Sequence, residues 1–171
     1  MRARGFTFVE LVCVIVIIAV LAATAMLRFI DLSEDAEAAS VAQQASAFAT
    51  AVRFVQIKYI LSGRSGDVDN LAGFGDGTVD TNASGYPTDT ANGNTIPDNP
   101  AGANRCRNVF NGILAANVPA CGGSVACTAS HAFKATTIAA QTCRFDYIRD
   151  PSPPRYFVYS ASSGTVTVTN P

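Results

Sequence analysis

The 171-residue sequence has a single histidine, His131, with Ser130 merely beside it, and no Gly-x-Ser-x-Gly elbow or phosphate loop. Those absences leave no constellation for nucleophilic or phosphoryl-transfer chemistry, so the chain reads as a non-enzyme with no cofactor. It has no run of basic residues and no basic–aromatic interleaving, which excludes a nucleic-acid partner. None of its five cysteines forms a CxxC pair, so with one histidine to help a zinc centre lacks its ligand spacing. Charge is also missing locally: Leu11 to Leu27 contains no charged residue, proline or glycine. What remains beyond that run is polar and rich in Gly, Asn, Asp, Thr and Ser, so the hydrophobicity is concentrated in one anchor.

The start of the chain reads Met1-Arg-Ala-Arg-Gly5, then Phe6-Thr-Phe-Val-Glu10, then the apolar run. A secretory signal peptide would use the basic start, the apolar segment and Ala23-Thr24-Ala25 as a cleavage site. A simple membrane anchor would use the run together with Phe6 to Val9, close to the ~20 residues needed to span. Neither requires Glu10, a carboxylate that costs roughly 2.5 to 3.5 kcal/mol deep in a bilayer. A third reading does. Gly5-Phe6-Thr7-Phe8-Val9-Glu10 resembles the prepilin signature of the type IV pilin superfamily, with its short basic leader and apolar continuation. The resemblance implies cleavage by a prepilin peptidase between Gly5 and Phe6 and N-methylation of Phe6. The anchor would stay on the mature chain, which would have 10 basic and 13 acidic side chains once Arg2 and Arg4 are gone. It also implies filament assembly through Glu10, which would pair with the Phe6 amine of a neighbouring subunit and offset the cost of burying either charge. A simpler role is favourable interaction of the acid with the helix dipole.

Past the anchor, Val41, Ala45, Phe48, Val52, Val55 and Tyr59 recur at intervals of three and four, one face of a helix. Ser33 and Glu34-Asp35 could start a new helix, and Gly63 is the natural stop. A continuous helix from about Phe6 to Ser62 would be on the order of 85 Å long. Many type IVa pilins carry a glycine and a proline in this segment; Ala19 and Leu27 stand at the matching positions, so a helix less broken than in those relatives is expected.

Ser62 to Gly102 reads as turns and loops. Asp67, Asp69, Asp76 and Asp80 invite comparison with a calcium loop, but Leu71 occupies an alternate ligand position and no distal Glu follows. They are therefore read as solvated turn residues, with no metal. Asn104 to Asn117 reads as a short helix with Val109, Phe110, Ile113 and Leu114 on its apolar face. Phe145–Ile148, Tyr156–Ser160 and Thr165–Thr169 read as strands. The expected class is α+β, with a long N-terminal helix packed on a small C-terminal antiparallel sheet, as in pilins. The expected organisation is a leader over 1–5, an anchor over 6–30, an amphipathic half-helix over 31–62 and a globular head over 63–171.

Within the superfamily the chain is most similar to MSHA-type pilins. The similarity lies in Arg28-Phe29-Ile30-Asp31-Leu32, Gly85-Tyr86-Pro87, Cys106-x-x-Val-Phe110-x-x-Ile-Leu114 and Cys143-x-Phe-x-Tyr147. Those relatives have a proline where this chain has Leu27. The resemblance implies an inner-membrane precursor with a periplasmic head. It would pass from the lipid bilayer, through inner-membrane assembly machinery, into an extracellular pilus with other pilin subunits, in a homo- or hetero-polymer used for attachment. A pseudopilin of a type II secretion system is the alternative, and a secreted binding module released after Ala25 a third. Four head cysteines behind a targeting segment suggest two disulfides. Three pairings exist. Cys106–Cys143 with Cys121–Cys127 would tie the short helix to the sheet and close a Gly-rich loop; Cys106–Cys121 with Cys127–Cys143 is the next option. Cys13 reads as apolar filler in the anchor.

Overall fold

The computed structural model describes residues 6–114 and 119–169, with the backbone alone for 26–31. The chain divides into two units, Met1–Glu37 and Ala38–Pro171. The long helix α1, Phe8–Leu61, contributes to both. From Phe6 to Ser62 there is neither proline nor glycine, so every turn keeps its amide donor and no residue favours a break. Ala19 and Leu27 both lie inside the helix, and no second start intervenes at Ser33. Its end is capped: the Gly63 amide bonds to the Ile60 carbonyl at 3.1 Å, and Gly63 takes φ +66, the left-handed conformation that glycine adopts most easily.

In the first unit the described side chains from Phe6 to Thr24 are all exposed. In the second unit α1 carries the core stripe. Val41, Phe48, Val52 and Val55 are fully buried, with Ala45 and Tyr59 nearly so. Phe48 sits at the centre of an aromatic cluster, its ring centroid 5.2 Å from Phe145, 5.3 Å from Tyr159, 5.5 Å from Phe157 and 6.0 Å from Phe110. Tilted and edge-on rings at these spacings add attraction beyond the area they bury.

Two short strands, β1 (Asp80–Thr81) and β2 (Pro87–Asp89), pair antiparallel inside the stretch expected to be loop. Helix α2 follows as Pro100–Ile113, starting and ending earlier than the Asn104–Asn117 expectation. The start is set by Asn99, whose side chain accepts from the amides of Ala101 (2.9 Å) and Gly102 (3.4 Å), with Pro100 in the first turn where its missing amide costs nothing. Leu114 is the C-cap and half-buried rather than part of the helical face; Asn117 lies outside the described residues. Val109, Phe110 and Ile113 are buried, with Gly102 and Cys106 on the same side. A Cβ at Gly102 would overlap the Pro97 carbonyl, so the helix start and the preceding loop approach each other only because glycine stands there.

The sheet is an antiparallel meander in the order β3 (Phe133–Ala139), β4 (Thr142–Tyr147), β5 (Tyr156–Ser160), β6 (Thr165–Thr169). Thus the fold is α+β, a long helix with a C-terminal antiparallel sheet. Strands β5 and β6 have the expected bounds; β4 begins at Thr142 rather than Phe145 and stops before Ile148, and β3 is an addition. Phe133, Ala135, Cys143, Phe145, Phe157 and Tyr159 all face the core, two from each of β3, β4 and β5, which is the period-two alternation of a sheet with one covered face.

Candidate functional site

The candidate site is the beginning of α1. Gly5 and the rest of residues 1–5 lie outside the described residues, and Phe6 precedes the helix with 80% of its surface exposed. Thr7 is the N-cap. Its Oγ1 accepts from the Glu10 amide at 3.2 Å, and its carbonyl accepts from the Leu11 amide at 3.2 Å. Glu10 therefore occupies the third helical position, and Thr7-x-x-Glu10 is a capping-box pattern. Reading Glu10 only as a charge partner or a dipole complement missed this, although the spacing was visible in the sequence. The cap fixes where the helix begins and hence where the carboxylate stands relative to Phe6.

Phe8–Ala25, with Glu10 in its first turn, is long and apolar enough to cross a membrane, and none of its residues is buried among the described ones. The one hydroxyl in the later part of that span is satisfied locally: Thr24 Oγ1 donates toward the carbonyls of Leu21 (3.0 Å) and Val20 (3.3 Å). Such back-bonding removes a polar group that hydrocarbon would leave unpaired. Cys13, on the same span, is an exposed free thiol. The segment has a capped start, one acid, and an apolar surface on every side.

Residues 1–26 match the model of the prokaryotic N-terminal methylation motif. Over 62 residues the chain is 50% identical to the type IV narrow pilus major component PilA5 of Thermus thermophilus, an alignment covering 35% of this chain and 53% of that protein. Both similarities support a type IV pilin reading of the chain. It spans about half the length of the curated pilin it matches. No solved structure matches this chain.

The second unit adds a second exposed apolar surface. Phe54, Ile57, Ile60 and Leu61 are 50 to 77% exposed and share the face of α1 opposite the core stripe. The structure joins Cys106 of α2 to Cys143 of β4 and Cys121 to Cys127 in the loop before β3, with Cα separations of 5.5 and 5.1 Å. The acids of the 63–99 segment do not all behave as solvated turn residues. Asp80 is fully buried and accepts the amides of Asn70 and Gly93, both at 2.9 Å, so it ties two loops together. Asp89, which the sequence reading passed over, is also buried. It accepts from Asn108 at 2.7 Å and pairs with Arg105 at 3.4 Å. Asp76 does cap an exposed turn, and hydrogen bonds from the Thr78 hydroxyl and amide lower its pKa. Asp67 and Asp69 are exposed, and among the described residues no three ligating side chains converge on a metal position. Tyr159 is buried with its hydroxyl donating to the Pro87 carbonyl at 2.9 Å; desolvation, then the neighbouring Tyr86, pushes its pKa well above 10.0.

Proposed function

We propose that this chain is the structural subunit of an MSHA-like type IV pilus. It is held in the inner membrane by Phe8–Ala25, cut between Gly5 and Phe6, methylated on Phe6, and polymerised with other pilin subunits into an extracellular filament for attachment. The observation that carries this reading is the 18-residue span with no buried residue, with one acid, Glu10, in its Thr7-capped first turn. An all-round apolar helix requires either lipid or other protein around it. The exchange of one for the other is what converts an anchored precursor into a polymer. In the polymer Glu10 would accept the charge of a neighbour's Phe6 amine, and the pair would be tolerable only because both members are present. The second apolar face, Phe54 to Leu61, supplies the head with surface for the same lateral packing.

Mass spectrometry of the mature amino terminus tests processing: methylated Phe6 supports the reading, and a chain beginning at Met26 overturns it. Imaging of a deletion strain separates the roles. Loss of surface filaments supports a pilus subunit, whereas intact filaments with failed protein secretion would assign the chain to a pseudopilin.

A further inference from the structure

A cleft of about 850 Å³ opens on the head between the 121–127 disulfide loop and the end of β4. Three basic side chains line it, Lys134, Arg149 and His131, and no carboxylate does. Lys134 is on the outward side of β3, between the buried Phe133 and Ala135. The acid opposite it in the sheet, Asp146, is engaged elsewhere: its Oδ1 accepts from Arg144 Nε at 2.8 Å and forms an ion pair with the same guanidinium. Neither Lys134 nor Arg149 has a carboxylate partner among the described residues. His131 is turned by its own loop. The Thr128 amide donates to Nδ1 at 3.1 Å, so in the neutral ring the proton sits on Nε2, which remains a donor. The other wall is aliphatic, formed by Val125, Ala126 and Ile148.

We infer that this cleft binds an anionic saccharide, through a carboxylate or sulfate held by Lys134 and Arg149. Cations without acids select an anion, and the guanidinium fork suits an oxyanion with two oxygens in one plane. The volume lies in the range of small-molecule sites and exceeds what a free inorganic ion would fill. No aromatic ring lines the cleft, so a nucleobase would lack its stacking platform. The aliphatic wall fits the C–H face of a sugar ring, and the open side lets a longer chain leave the cleft. This inference does not depend on whether the chain polymerises.

The test is calorimetric titration of the full chain in non-ionic detergent with trigalacturonate, a sulfated heparin disaccharide, neutral maltotriose and sodium sulfate. One or both acidic saccharides should bind, more weakly as salt rises, and the arm that binds identifies the acid group. K134Q and R149Q should each weaken that binding on the order of tenfold, with the circular dichroism melt unchanged because both side chains are exposed. Binding of neither acidic saccharide, equal binding of maltotriose, sulfate binding as tightly as the saccharide, or full affinity in the K134Q/R149Q double variant overturns the inference.

Discussion

The two halves of α1 solve the same problem in opposite ways. Between Val41 and Tyr59 the apolar residues form one stripe, and the chain's own sheet and α2 cover it. Between Phe8 and Ala25 they occupy every side, and nothing among the described residues buries them. The difference lies in periodicity rather than in hydrophobicity as such. A helix with a 3.6-residue repeat specifies a partner on one side, and its own head can supply it. A helix without that repeat specifies only an apolar surrounding, which no single small domain can provide. The first half thus calls for an apolar surrounding from outside the chain, while the second is committed to its own fold.

That contrast can be broken from either end. The largest expected effect is on the first half: Glu10→Val should abolish filaments while leaving precursor in the membrane, since it removes the acid but keeps the apolar span. Electron microscopy beside membrane immunoblotting checks it, and normal filaments would show that the carboxylate is not needed for assembly. On the second half, Phe48→Ala should cost about 3–5 kcal/mol of head stability by leaving a cavity among four aromatic rings. Denaturant unfolding followed by near-ultraviolet dichroism measures it, and membrane insertion should not change.

The disulfides sharpen the same boundary, because they act on the head alone. Replacing Cys106 and Cys143 by serine opens a 37-residue separation and should cost about 4 kcal/mol, whereas opening the 6-residue Cys121–Cys127 separation should cost about 2 kcal/mol. Unfolding midpoints of the two double variants should rank in that order.

The smallest effect concerns Tyr159. Its pKa is raised in the folded state, so the unfolded chain ionises first as pH climbs past the ordinary tyrosine value. Its contribution is complete below that value and is lost progressively above it. Tyr159→Phe should cost about 1–3 kcal/mol at neutral pH, by orphaning the Pro87 carbonyl, and should flatten the stability loss above pH ~10. Thermal melts across that range give both readings.

Much of this architecture was legible because it follows from repeats and stops. The stripe from Val41 to Tyr59, the Gly63 terminus and the β-branched strands β5 and β6 each combine a period with a breaker. Strand β3 was passed over although the β-branched Thr136-Thr137-Ile138 favour a strand, because only Phe133 and Ala135 turn inward and no apolar alternation runs its length. The start of α2 carried a usable signal in Asn99-Pro100, which the surrounding Gly, Asn and Asp disguised as another turn. Asp80 and Asp89 could not be told from their exposed neighbours. Their burial depends on amides, Asn108 and Arg105 arriving from 10 to 19 residues away. At the site itself, Glu10 stood out as a lone acid, but its place in a capping box required reading three residues back to Thr7.

The disulfides have one more consequence, and it is mechanical. Cys121–Cys127 lies inside the loop closed by Cys106–Cys143, so the two bonds are nested. If tension unfolded the head, residues between the outer cysteines could not enter the load path, and on the order of 120 Å of contour length would stay locked. Under load the extension of the head would come from the residues before Cys106 and after Cys143 alone.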